Sequence, residues 1–255
     1  MKGIGRNGKG LVDVILQQVL GNYHQTLASE ELTEDSKGKG RANSSLANAR
    51  FARCLMASEP DNKQKMKTDR IKLLTGRDPI PARQLYGIEF TYHAQFTLCV
   101  QCNDMPEYTR IDDALIKRAT YLEFPFQFVE KVEREYQRPI DLTLKDKVRQ
   151  DLSYRNGAIH VLFDTWFKNQ GKITRTVEAE TFAQEEFDNN NPLSKFLEDY
   201  KPSTTFIRIK DLREEYNKEY DNLSSQQFKK FIMLTRSKVV EDKVHGMKVF
   251  VSKAE

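Results

Sequence analysis

Seven residues near the N-terminus constrain this chain more than any other stretch. Gly3-Ile4-Gly5-Arg6-Asn7-Gly8-Lys9 has the spacing G-x-x-x-x-G-K. A helical pattern follows at once, with Leu11, Val12, Ile15, Leu16, Val19 and Leu20 on one face as far as Gly21. Glycines let consecutive backbone N–H groups converge on an anion, the start of the helix adds its partial positive charge, and Lys9 adds a full one. Gly3, Gly5, Asn7, Gly8, Lys9 and Gly10 are therefore the candidate nucleotide-binding residues. Two departures stand out. Gly10 occupies the position where Ser or Thr normally holds Mg²⁺. Only Met1 and Lys2 precede Gly3, whereas such a loop hangs from the end of a buried strand. The expectation is that the strand comes from upstream in a longer product, that the reading-frame start is misplaced, or that the loop is poorly anchored.

The rest of the composition bounds what this loop can belong to. The chain has 255 residues, enough for one large or two small domains and for a core that needs no disulfides. Fifteen Phe and ten Tyr argue against a disordered chain, while a mean hydropathy of −0.68 requires much charged surface to be solvated or shared with a partner. The net charge of +4 excludes a histone-like polycation. It is unevenly placed: residues 201–255 carry 12 Lys and Arg against 8 Asp and Glu, and residues 1–200 carry 29 of each. Cys54, Cys99 and Cys102 form no disulfide framework and suit a reducing compartment. Cys99 and Cys102 lie in an apolar run and lack the further ligands a zinc site needs, so they read as buried strand cysteines. No stretch approaches a membrane span, and no signal segment opens the chain.

Strands are expected at 51–57, 96–101 and 121–126, helices at 63–74 and 112–118, and a hairpin over 83–96 around Gly87. Residues 29–45 read as a polar loop. Helical spacing then recurs over 142–155, 157–169 and 177–188, and Asn189-Asn190-Asn191-Pro192 reads as a linker. The tail reads as helices at 193–200, 211–220 and 225–235, a strand at 206–209, and two strands around His245-Gly246. Ser224 and Gln227 suit a capping box. Helix, helix and hairpin together describe a winged helix-turn-helix.

Further constellations follow the loop in order. Phe51 to Ser58 is an apolar run ending in Glu59, which suits a carboxylate that organises a Mg²⁺ shell. Next come Thr75-Gly76-Arg77-Asp78 and Ala82-Arg83-Gln84-Leu85-Tyr86, then a strand ending Asn103-Asp104-Met105-Pro106. Arg118 precedes a stretch ending Phe124-Pro125. With these residues in this order, the chain resembles the C-terminal part of superfamily III helicases of the poxvirus and phage primase–helicase type, with Arg77 in place of a second glycine. The resemblance covers nearly the whole chain.

The resemblance implies an α/β P-loop ATPase of the AAA-like, ring-forming type, N-terminally truncated, with a helical lid and a C-terminal winged helix-turn-helix. The corresponding divisions are an ATPase core at 1–128, a lid or linker at 129–190 and a winged helix at 191–255. It implies ATP and Mg²⁺ as cofactors and a DNA helicase motor of viral or mobile-element replication. Lys9 would bind the β- and γ-phosphates, Glu59 would be the metal-organising acid, Asn103 the γ-phosphate sensor and Arg118 an arginine finger toward a neighbouring subunit. Arg83, Tyr86, Tyr92 and His93 would belong to a channel hairpin gripping single-stranded DNA, where cations meet the backbone and aromatics meet bases.

In the tail, Phe228, Phe231, Ile232 and Leu234 suit a buried face, and Gln226, Gln227, Lys229, Lys230 and Arg236 an exposed one that could enter a major groove. Lys243, His245 and Lys248 suit phosphate contacts from the wing. The implied partners are single-stranded and duplex DNA and further copies of the chain in a ring, a hexamer. The resemblance implies that the family's upstream primase and oligomerisation regions are missing from this sequence. The implied setting is a host cytoplasm or viral replication compartment. The alternatives are a truncated, catalytically weak DNA-binding relative, favoured by Gly10, and an ATP-dependent winged-helix regulator.

Overall fold

The computed structural model describes the chain except residues 4, 34–42, 59–64, 105, 173, 191–195, 198–199, 221–222, 227, 229–231, 233–238, 243–245 and 254–255. It gives backbone alone for 113, 184, 186–190, 200–206, 239–242 and 246–253. The chain divides into two compact units, Met1–Ala183 and Gln184–Glu255.

The first unit is mixed α/β and is built on a parallel sheet. Helix α1 (Lys9–Leu20) leads to β1 (His24–Leu27), α2 (Ser44–Asn48) and β2 (Cys54–Ala57). Helix α3 (Thr68–Thr75), the ribbon β3 (Pro79–Ala82) and β4 (Phe90–His93), and β5 (Thr97–Val100) follow. The sheet order is β1-β2-β5, all parallel, with Cys54 opposite both His24 and Thr97. All four residues of β2 are buried, as a strand flanked on both edges and covered on both faces requires. Helix α1 packs on β1 and β2, and α3 packs against β5.

Beyond β5 the sheet continues through the first three residues. The Met1 amine donates to Val100 O at 2.8 Å, and the Cys102 amide to Met1 O at 3.0 Å. On the other flank the Lys2 amide donates to Leu122 O at 2.9 Å and the Phe124 amide to Lys2 O at 2.8 Å. Lys2 thus bridges Cys102 and Glu123 in parallel. This bears on the last of the three expectations, the poorly anchored loop: both flanks of residues 1–3 hydrogen-bond to neighbouring segments and anchor it. It also corrects the strand expected over 121–126, of which only Glu123 makes a bridge. The chain leaves segment 1–3 for β1 on one side of the sheet and later returns on the other side at Glu123. Such a reversal opens a crevice at the carboxyl ends of the strands.

Helix α4 (Asp113–Arg118) is capped by Asp112, whose Oδ1 accepts the Leu115 amide at 3.1 Å. Burial pushes the Asp112 carboxyl up, but hydrogen bonds from Lys72 and the Leu115 amide, with Arg110 nearby, hold it below its ordinary value. Then come β6 (Gln127–Val129), β7 (Gln137–Pro139), α5 (Leu144–Gln150), α6 (Leu152–Lys168) and α7 (Val177–Asn190). The break expected near Gly157 falls instead at Asp151. Its side chain accepts the Ser153 amide at 2.8 Å and starts α6, which runs through Gly157.

The second unit contains β8 (Tyr200–Arg208), α8 (Ile209–Glu219), β9 (Val239–Asp242) and β10 (Gly246–Lys253). Its antiparallel sheet has the order β8-β10-β9. Phe196, Ile209, Leu212, Tyr216, Phe228 and Ile232 form its core. Strand β8 is longer than the 206–209 segment expected. Asn189 and Asn190, read as linker, end α7. The rest of that linker, and Gln227 of the capping box, lie outside the described residues.

Candidate functional site: the N-terminal phosphate loop

The loop from Gly3 to Gly8 turns on two residues in the left-handed region, Arg6 (φ 64°) and Gly8 (φ 90°). Only glycine takes the second without strain. Gly8 O then accepts the Leu11 and Val12 amides at 2.9 and 3.1 Å, which starts α1. Gly3 needs to be glycine for a different reason. A Cβ there would collide with Asn7 Nδ2 and lie 2.6 Å from Phe124 O. Gly5 has open space around it.

Lys9 and Asn7 are each only 7% exposed. A buried ammonium is costly unless oxygens surround it. Here Lys9 Nζ donates to Gly3 O and, at 3.0 Å, to Asn103 Oδ1, which lies 94 residues away. Gln101 Nε2 donates to Lys9 O at 3.3 Å. The tip of β5 is thereby tied to the loop, and Lys9 and Asn103, singled out separately in the sequence, come together. Asn7 Oδ1 accepts the Lys9 amide at 3.4 Å, while its buried Nδ2 has no partner among the described residues.

These groups line a cavity of about 550 Å³ with Gly5, Arg6, Gly8, Gly10 and Ser58. Its other wall was not legible in the sequence. It comprises Phe128, Ile140 and Leu142 with Asp141, Leu144 and Lys145. The Phe128 amide donates to Arg6 O at 2.7 Å, so this wall is fixed to the loop. The Thr143 hydroxyl, Lys147 and the Thr143 amide pull the Asp141 carboxyl down to about 2.

A buried ammonium, an orphaned amide donor, loop N–H groups at a helix start and an aromatic wall fit a nucleotide polyphosphate. For magnesium, Gly10 offers no side-chain oxygen. Glu59 lies outside the described residues, and among those described no three His, Cys, Asp or Glu side chains assemble. Ser58 provides a hydroxyl at the cavity.

The other site residues sit elsewhere. Arg118 ends α4, exposed, with Nη1 donating to Ala114 O at 3.4 Å. It lines a separate cavity of about 130 Å³ with Met1, Tyr108, Leu115 and Tyr121. The hairpin is built from β3 and β4, paired antiparallel with Pro79 opposite His93, rather than beginning at Arg83. Residues 83–89 form its tip, where Tyr86 (φ 61°) is 98% exposed and Ile88 91%. Two candidates do not belong to the tip. His93 Nδ1 meets Arg77 O at 2.9 Å at the base, and Tyr92 Oη donates to Leu46 O at 2.8 Å. Arg83 starts the tip, its amide held by Asn43 Oδ1 at 2.8 Å. Cys54 and Cys102 are buried and Cys99 half-buried, all as free thiols.

In the second unit Phe228 and Ile232 are fully buried and Gln226 is exposed. Lys229, Lys230, Phe231, Leu234, Arg236, Lys243 and His245 lie outside the described residues, and Lys248 is described as backbone within β10. Among the described residues no helix is long and apolar enough to cross a membrane.

No family model matches the chain. It is similar to a protein of Sputnik virophage named "Putative helicase", at 26% identity over 248 residues, covering 89% of this chain and 31% of that protein. A "Putative helicase" of Acanthamoeba polyphaga mimivirus is 29% identical over 133 residues, 52% of this chain and 14% of its own length. One of Frog virus 3 is 28% identical over 131 residues, 50% and 14%. Two apo structures of the NrS-1 C-terminal region align with 98% of this chain and 65% of theirs. Their TM-scores are 0.38 and 0.40 at 11% and 9% identity, too slight a likeness to fix the fold. The chain spans about a third or less of the curated relatives it resembles, and those relatives are viral proteins named for helicase activity.

Proposed function

We propose that this chain is the nucleotide-driven motor region of a viral-type DNA helicase. The single observation that carries the reading is the Lys9 ammonium. It is buried beneath a glycine loop at a helix start and hydrogen-bonded to Asn103 at the tip of the neighbouring strand. This is the arrangement a γ-phosphate needs, with a cation to bind it and a polar group on an adjacent strand to respond to its loss. The names of the three viral relatives support the same reading.

In this reading Gly3, Gly5, Asn7, Gly8 and Gly10 cradle the phosphates of ATP, and Phe128, Ile140 and Leu142 face the base. Glu59 carries the metal-organising role, with Mg²⁺ supplying charge neutralisation when bound. Arg118, which lines a different cavity from Lys9, serves a second copy's nucleotide within a ring. Residues 1–128 form the ATPase core, 129–190 the lid and 191–255 a winged helix on duplex DNA. The antiparallel sheet and the buried Phe228 and Ile232 support that last assignment. Tyr86, fully exposed at the hairpin tip, meets single-stranded DNA. The work of such a protein belongs to a replication compartment inside the host cell.

The test is ATP hydrolysis by this chain with and without single-stranded DNA. The reading expects DNA-stimulated turnover that rises with self-association; ATP binding without any turnover would contradict it. That contrary result would favour a second reading, a nucleotide-binding DNA protein that does not hydrolyse. Gly10 is the observation on its side.

A further inference from the structure

We propose that Lys145, on α5, is a second phosphate-binding cation of the loop cavity. It takes the place beside Gly10 where a hydroxyl would hold a metal, and so lowers the dependence of polyphosphate binding on divalent cations. The proposal rests on the nucleotide-site reading and deepens it.

A Cβ built on Gly10 would stand 3.6 Å from Lys145 Nζ. That is ordinary van der Waals contact, and Gly10 is not in the left-handed region, so its backbone does not demand glycine. The ammonium stands beside the space that a Ser or Thr side chain would enter. Lys145 also lines the cavity together with Arg6 and Lys9.

The neighbouring acids are otherwise engaged. Asp141 on the cavity wall accepts the Thr143 hydroxyl at 2.6 Å and the Lys147 ammonium at 3.0 Å, and Asp146 pairs with Arg149 at 3.6 Å. Among the described residues, Lys145 forms no ion pair of its own. Its position is set by packing, because α5 lies against α1 and buries Val148 at 3% exposure.

The electrostatic consequence follows from charge alone. An ammonium beside Gly10 attracts a polyphosphate oxygen and repels a divalent ion at the same spot. Removing a hydroxyl and supplying a cation exchanges a metal-mediated contact for a direct, charge-assisted hydrogen bond.

The experiment measures binding of ATP and of AMP to the full chain, by calorimetry, in Mg²⁺ and in EDTA. Wild type is expected to keep ATP binding in EDTA. Lys145→Gln is expected to lose roughly tenfold of it, the order of one charge-assisted contact, with AMP binding unchanged. Lys145→Arg should restore ATP binding, and Gly10→Ser combined with Lys145→Gln should bind ATP roughly tenfold more weakly in EDTA than in Mg²⁺. Lys145 is exposed, so the thermal midpoint should not move.

If Lys145→Gln binds ATP in EDTA as tightly as wild type while Lys9→Ala does not bind, the Lys145 proposal falls alone. If wild type and Lys9→Ala bind ATP equally, or neither binds, the phosphate-site reading falls and takes this proposal with it.

Discussion

The phosphate loop and the hairpin tip break the burial rule in opposite directions. At the loop, polar groups are inside: Asn7 and Lys9 are 7% exposed, and Asn7 Nδ2 has no partner among the described residues. At the tip, apolar groups are outside: Tyr86 is 98% exposed, Ile88 91% and Leu85 64%. A buried cation needs oxygens or an anion around it, and a cluster of exposed apolar side chains can mark a contact surface. The loop is tied to β5 by Lys9–Asn103 and Gln101–Lys9, and to β6 by Phe128–Arg6, so it is built to one geometry. The tip is held at its base through Tyr92, His93 and the Arg83 amide, and by Gln84 Nε2, which donates to Asn48 Oδ1 at 3.4 Å. In the proposed reading, one region would recognise a small ligand by pre-arranged donors and the other a polymer by its surface.

The sharpest way to break this contrast is Lys9→Ala. It should abolish ATP binding and turnover while leaving single-stranded DNA binding nearly unchanged; parallel loss of DNA binding would join two regions held here to be separate. Arg118→Ala should cut turnover by on the order of 10³-fold, yet leave ATP affinity within about twofold in equilibrium binding. Weakened binding would place Arg118 in its own chain's site.

Gly3→Ala should destabilise the first unit by roughly 1–3 kcal/mol in chemical denaturation, because the added Cβ meets the Phe124 carbonyl as well as Asn7. A neutral result would mean the loop is laxer than its contacts imply. At the other region, Tyr86→Ala should leave the thermal midpoint in place and weaken single-stranded DNA binding by roughly 1 kcal/mol.

The smallest effect concerns acid. Asp112 ionises below its ordinary value in the folded chain, so its contribution is complete above the ordinary carboxylate range and is lost as pH falls through the lowered one. Asp112→Asn should remove that part of the acid sensitivity from a pH series of unfolding midpoints.

What the sequence revealed of this contrast follows from how local each feature is. Gly3 to Lys9 and the apolar face of α1 are contiguous patterns, and the loop–helix unit emerged where they placed it. Strand β1 went unread because His24-Gln25-Thr26-Leu27 buries only its two ends. The hairpin was displaced along the chain because Pro79 and Pro81 argue against a strand, yet a two-stranded ribbon tolerates them on a free edge. The strand over 121–126 failed because its neighbour, Met1–Gly3, is only three residues long. Phe128, Ile140 and Lys145 carry no motif and reach the cavity through tertiary packing alone. The one local hint of Lys145 was the missing hydroxyl at Gly10, which asks what else faces the phosphates.

The central claim is that Lys9 and Asn103 form a polyphosphate site. Its most direct test is the affinity of the 255-residue chain for ATP, ADP and AMP, beside Lys9→Ala and Asn103→Ala. Affinity should fall in the order ATP, ADP, AMP, with Lys9→Ala erasing the preference and Asn103→Ala narrowing the gap between ATP and ADP. Equal affinity for all three nucleotides in the wild-type chain would contradict the account.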